Sequence, residues 1–279
     1  MGEEITRILK LLENGKINSE EAERLIKAVS EKKTKGFYIS APPKIPKEFM
    51  MKVEMIPEQI GKAVSAAFGS VGTSGGKKTF HGVDNLFIKA VNGDVQLIPS
   101  DGETIIDGTG WPMRTIVEDN ILNIDSINAN FTAYVKPRST ASLNLVSTDL
   151  KAKKLDLETS IESVSGNIFI EKCSGRWDIR SISGNIELIG ITGIASLETK
   201  SGNISMEIES KGRYICKTLS GNMDVVVPKG YVVSLKLDSP FEDVDLPEEL
   251  EFAKEVKPEN ADIIIELYNK NGYINVTIK

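Results

Sequence analysis

Four Ser-Gly-Asn triplets, Ser165-Gly166-Asn167, Ser183-Gly184-Asn185, Ser201-Gly202-Asn203 and Ser220-Gly221-Asn222, follow one another at intervals of 18, 18 and 19 residues. Further turn signals at Ser174-Gly175, Thr192-Gly193, Lys211-Gly212 and Lys229-Gly230 halve that period, so a glycine recurs about every nine residues. A unit this short cannot bury an apolar face alone and must stack on its neighbours. After each triplet, apolar and polar residues alternate, as in Ile186-Glu187-Leu188 and Ile204-Ser205-Met206-Glu207-Ile208. That is the strand period.

Superposing the units gives columns. Ile168, Ile186, Ile204 and Met223 fall in one, and Ile170, Leu188, Met206 and Val225 in the next. The other half of each unit supplies Trp177, Ala195 and Tyr214, then Ile179, Leu197 and Cys216. These columns are expected to point inward. The fold class is therefore mainly β: a single-stranded parallel β-solenoid (β-helix) with about 18 residues per turn, plus a small N-terminal α-helical hairpin. Glycine and asparagine suit the corners because both tolerate left-handed backbone, and an Asn amide can bond to backbone or to the next turn. This structural role for Ser-Gly-Asn is favoured over a recognition surface.

The repeat extends beyond its clearest triplets. Ser147-Thr148-Asp149 lies 18 residues before Ser165 and reads as a degenerate turn, while Asn92-Gly93-Asp94 and Asp101-Gly102-Glu103 repeat the nine-residue step. The stretch 83–146 reads as β throughout, either an open sheet or a distorted first set of coils. Near the C-terminus, Asn271-Gly272 between two strand-like runs signals a hairpin, expected with the acidic Pro247–Pro258 segment to cap the stack.

Residues 1–31 differ in kind. Ile5, Ile8, Leu9 and Leu12 keep helical spacing, and Asn18 with Glu21 resembles a capping box before Ala22, Leu25, Ile26 and Val29. Such a hairpin is too small to be stable alone and needs something to dock on. Residues 32–82 form a basic Pro/Gly-rich linker in which 57–68 could make one amphipathic helix, and residues 83–279 form the large β domain. Residues 32–80 hold 9 basic and 3 acidic side chains, against 20 and 30 for 81–279. The linker thus suits either the chain's own acidic domain or an anionic membrane surface. The acidic, aromatic-poor large domain argues against nucleic acid.

Catalytic signatures are missing. The lone histidine, His81, leaves no His-based triad or multi-histidine metal site, and no phosphate-binding glycine loop or β-roll calcium motif occurs. No catalytic, cofactor-binding or metal residue is assigned, and no cofactor is expected. Cys173 and Cys216 read as reduced packing residues. The catalytic alternative is a lyase or hydrolase acting on polysaccharide, which could mount charges on an outer face. Its candidates are Glu171, Lys172, Arg176, Asp178 and Arg180, with Glu187, Lys200, Glu207, Lys217 and Asp224 on later turns. These spread over several columns with mixed sign, as an ordinary solvated surface does.

The run from Val164-Ser165-Gly166-Asn167-Ile168 to Thr218-Leu219-Ser220-Gly221-Asn222-Met223, with Asn92-Gly93-Asp94-Val95 upstream, resembles the bacterial and archaeal "putative adhesin" family of unknown function over residues 83–279. Residues Ile8 to Ile17, followed by Glu20-Glu21-Ala22, resemble the SHOCT-like hairpin of LiaX-type envelope-stress proteins. The two-part resemblance implies a non-enzymatic β-solenoid serving the cell-envelope stress response or surface interaction. Self-association or a protein partner is expected through the hairpin, with an envelope glycan or anionic membrane surface as further partners. The Met1-Gly2-Glu3-Glu4 start and the lack of a long apolar run point to a cytoplasmic chain, at most peripheral to the membrane.

Overall fold

The computed structural model describes residues 76–110, 113–239 and 244–279. The hairpin expected at 1–31 and the helix expected at 57–68 lie outside these residues. The strands are, in chain order, β1 (Gly76–Phe80), β2 (Asn85–Pro99), β3 (Thr104–Gly110), β4 (Met113–Glu118), β5 (Ile121–Val135), β6 (Thr140–Lys153), β7 (Asp156–Ser165) and β8 (Ile168–Glu171). There follow β9 (Ser174–Ser183), β10 (Ile186–Ser201), β11 (Ile204–Ser220), β12 (Met223–Val227), β13 (Val233–Asp238), β14 (Val244–Asp245), β15 (Ile263–Asn271) and β16 (Ile274–Ile278). All sixteen join one sheet.

The protein is mainly β, and its centre is a stack of parallel rungs. Ser147, Ser165, Ser183, Ser201, Ser220 and Asn271 stand in register, as do Leu150, Ile168, Ile186, Ile204, Met223 and Ile274. Parallel ladders about 4.8 Å apart pair the backbone groups that a lone strand would leave open. All the inward columns read from the repeat are buried, from Ile168 and Ile170 to Tyr214 and Cys216. Trp177 and Tyr214 sit in one column on either side of Ala195, so large side chains fill the space that the small one leaves. Their polar tips stay bonded: Trp177 Nε1 donates to the Ser174 carbonyl at 3.1 Å, and Tyr214 Oη donates to the Ile191 and Ser210 carbonyls at 3.2 Å.

The corner after each triplet requires glycine. Gly184 has φ +121°, and a β-carbon there would lie 2.1 Å from the carbonyl oxygen of Gly166, one turn earlier. Beside it runs a ladder of side-chain amides: Asn167 Oδ1 accepts the Asn185 N–H, Asn185 Oδ1 that of Asn203, and Asn203 Oδ1 that of Asn222. Asp149 fills the same role for Asn167 at 2.7 Å, so the degenerate Ser147-Thr148-Asp149 turn does belong to the stack.

The ends depart from the expectations. Residues 83–146 are neither an open sheet nor simple consecutive coils. β2 is a full rung in register with β6, but β5 pairs along the other edge of β2, with Ile121 opposite Asn85. β3 and β4 then close on β5 in antiparallel pairs, and β1 closes on β3. Gly93 takes its place in the corner register opposite Thr148, whereas Gly102 lies in a bend outside it with open space around its α-carbon.

The hairpin expected at Asn271-Gly272 does not form. β15 pairs in parallel with β11 and β13, and β16 with β12 and β14, so the dipeptide is one more corner. Gly272, at φ +140°, stacks on Gly221, and the following Tyr273 N–H reaches Asn222 Oδ1. The left-handed backbone that makes Asn-Gly a hairpin signal serves a stacked corner equally well. In the acidic segment, 3-10 turns at Glu248–Lys254 and Pro258–Asn260 follow β14, and Leu250, Phe252 and Ala253 are buried beside β13.

Candidate functional site

Strand alternation sends every second side chain outward, and the parallel register lines these up along the stack. The longer side of each turn carries three outward columns, mostly polar but with Ile121 and Ile194 exposed in the first. The first holds Ile121, Asn85, Thr140, Glu158, Arg176, Ile194 and Arg213; the second holds Asn123, Phe87, Ser142, Ser160, Asp178 and Ser196. The third, Asp125, Lys89, Asn144, Glu162, Arg180, Glu198 and Lys217, continues to Tyr268.

That third column is an ion ladder. Arg180 lies 3.8 Å from Glu162, 3.8 Å from Asp178 and 3.5 Å from Glu198, and Lys217 reaches the same Glu198 at 3.3 Å. At its far end Lys217 and Lys236 flank the Tyr268 ring, and Tyr268 Oη donates to Glu266 at 2.7 Å. Burial pushes the Glu266 carboxyl up, but hydrogen bonds from Tyr268 and Arg213 and the nearby Arg213 charge outweigh it, holding the group below the usual carboxylate range. Glu171 is likewise held low, first by its hydrogen bond from Lys153 at 2.7 Å.

The ten outward charges singled out in the sequence therefore separate. Asp178, Arg180 and Lys217 meet in the ion ladder; Glu171 pairs with Lys153 and Glu207 with Lys279 on the shorter side, and Asp224 accepts from Asn275. Lys172, Arg176, Glu187 and Lys200 have no ion-pair partner among the described residues. His81 lies at the surface, with Nδ1 3.3 Å from Glu103. Cys173 and Cys216 are buried free thiols, and burial raises them to about 11 and about 12 respectively, far from a nucleophilic state. Among the described residues no three His, Cys, Asp or Glu side chains converge as metal ligands, and no helix is long and apolar enough to cross a membrane.

One concavity on the longer side was not foreseen. A groove of about 730 Å³ runs between the first two columns over β5, β2, β6, β7 and β9. Its walls carry Phe87, Asn123, Glu158 and Arg176, and Ser142 and Ser160 keep it open by their small size. Lys89 Nζ lies 4.8 Å from the Phe87 ring centre and fixes one side of that ring. The two serines were the available signal, but their meaning depends on the register with Phe87.

A family profile described as Toastrack DUF4097 matches residues 77–277, which includes every rung of the stack. The chain belongs to the Toastrack family. In this Toastrack chain a second profile, described as a SHOCT-like domain, matches residues 3–34. Two solved structures are similar in part. One, described as a "putative cell adhesion protein" from Clostridium sporogenes, shares 12% identity over 74% of this chain and 100% of its own, with a TM-score of 0.31. The other, a "putative adhesin" from Bacteroides fragilis, shares 12% identity over 73% of this chain and 96% of its own, with a TM-score of 0.39. No curated protein matches the Toastrack chain.

Proposed function

We propose that this protein is a non-enzymatic binding scaffold, a single-stranded parallel β-solenoid whose longer side meets a ligand or partner while the SHOCT-like segment mediates assembly. The register of 18 to 19 residues from rung to rung supports the solenoid reading. The observation that carries the non-enzymatic reading is the ion ladder. Glu162, Asp178 and Glu198 share Arg180 and Lys217, and Glu266 beside the ladder, paired with Arg213, is held below the usual carboxylate range. A general acid for glycoside cleavage needs the opposite environment, one that raises a carboxyl pKa.

The pairing of a SHOCT-like region with a Toastrack region motivates a place in the cell-envelope stress response of the LiaX type. The chain would work on the cytoplasmic side, peripheral to the membrane, with the basic 32–80 stretch helping to hold it there.

The test is light scattering of the full chain at several concentrations beside a variant that begins at Gly76, where β1 starts. Assembly of the full chain and monomers from the shortened one support the scaffold. Monomers from both, with no binding to anionic vesicles, remove the assembly and attachment roles. Cleavage of any oligosaccharide offered would remove the non-enzymatic reading.

A further inference from the structure

We propose that the groove on the longer side is a binding site for a neutral oligosaccharide held along the stack. The proposal rests on the scaffold reading above and gives it a ligand class.

The shape sets the first constraint. The groove crosses five rungs, from Ile121 and Asn123 on β5 to Arg176 and Asp178 on β9. At about 4.8 Å per rung it extends roughly 19 Å. It therefore fits a linear polymer segment laid along the stack better than a compact metabolite. The rung spacing is close to the advance of one pyranose ring in an extended chain, so successive sugars would meet successive rungs.

Chemistry narrows the occupant. The floor is strand backbone already committed to ladder bonds on both sides, so an extended peptide finds no open edge to join. Recognition falls to side chains, and those along the groove set the amides and hydroxyls of Asn85, Asn123, Thr140, Ser142 and Ser160 beside the apolar Phe87 and the exposed Ile121. Asn85 Oδ1 already accepts from the Thr140 hydroxyl, which orients both. A ligand dense in hydroxyl groups satisfies such a wall, and the Phe87 ring offers an apolar surface for the C–H face of a sugar.

Charge selects among glycans. Asp178 shares Arg180, 3.8 Å away, with Glu162 and Glu198, while Glu158 and Arg176 have no ion-pair partner among the described residues. In register on adjacent rungs, Glu158 and Arg176 are two planar groups able to hold vicinal hydroxyls in two-point contacts, and with Asp178 the lining carries two carboxylates and one guanidinium. A uronate polymer would meet the two carboxylates and a polycation would meet Arg176, with Lys89 beside Phe87, so neither finds a surface of one opposite sign. The groove is thus distinct in chemistry from the ion ladder beside it.

The experiment is calorimetric titration of the full chain with cellohexaose, chitohexaose and laminarihexaose, with hexagalacturonate as the anionic comparison. The expected result is saturable binding of at least one neutral hexamer, at least tenfold weaker for hexagalacturonate. Phe87→Ala should weaken it at least tenfold, and Ser160→Trp, which fills the groove from a solvent-facing position, should abolish it. Lys200→Ala, beyond the groove, should bind as the parent does. Circular dichroism and urea midpoints verify that each variant folds. Binding by none of the three neutral hexamers, or equal binding by Ser160→Trp, overturns the proposal. If the groove is empty of glycan but the full chain assembles, only this inference falls; if a bound hexamer is cut, the groove stands and the non-enzymatic reading falls.

Discussion

Asn185 Oδ1 accepts the backbone N–H of Asn203, 3.1 Å away and one turn further along the stack. The side chain thus closes a donor that the corner geometry takes out of the strand ladder. The asparagines are fasteners first, and their regular display at the surface follows from that role.

Replacing Asn185 with Ala should therefore lower unfolding stability by about 1 kcal/mol, the usual worth of one such bond. Asn185→Asp should cost less, because Asp149 makes the same contact to the Asn167 N–H at 2.7 Å. Urea denaturation of the two variants measures the difference.

Gly184→Ala should be far more damaging. Its β-carbon would fall 2.1 Å from the Gly166 carbonyl oxygen, on backbone at φ +121°, and the rungs must separate to admit it. A loss of about 3 kcal/mol or more is expected from strain and overpacking together. A control at Gly102, where a β-carbon meets nothing within 4 Å, should change stability little.

The acid limb of stability should depend on Glu266. Its folded pKa is lowered from an ordinary 4.5, so its contribution is present above that value and is lost as pH falls through the folded pKa. Glu266→Gln should flatten the fall in stability below about pH 4.5. Thermal melts of both proteins from pH 3 to pH 7 follow the slope.

Cys173 and Cys216 should resist alkylation at pH 8 in the native protein and react fully in denaturant. Burial is the main reason both thiols lie at about 11 and about 12, so the thiolate is scarce and sheltered. Rapid labelling of either in the native state would contradict the burial of Cys173 and Cys216.

The central stack was legible because two periods coincide in it. Strand alternation fixes which residues face inward, and the repeat fixes which stand above one another, so Ile186 and Ile204 could be paired without coordinates. Thr148 shows how far this reaches: a corner without its glycine was still found by spacing. The ends were not legible, because the partners there are distant and obey no period, as when Tyr273 finds Asn222 51 residues away. The groove was hidden for a related reason. Ser142 and Ser160 are unremarkable until the register sets them beside Phe87.

The order of rungs has a consequence for how such chains can change length. β2 is enclosed by β5 and β6, both of which come later in the chain, and β15 and β16 are threaded between earlier strands. A duplicated 18-residue unit added after Lys279 would find no rung waiting for it, because the terminal strands lie inside the stack. Gene duplication can lengthen this architecture only from within, between β6 and β11, where one turn follows another in simple succession. Copy number in relatives should vary there, while the two interleaved ends are inherited as fixed pieces.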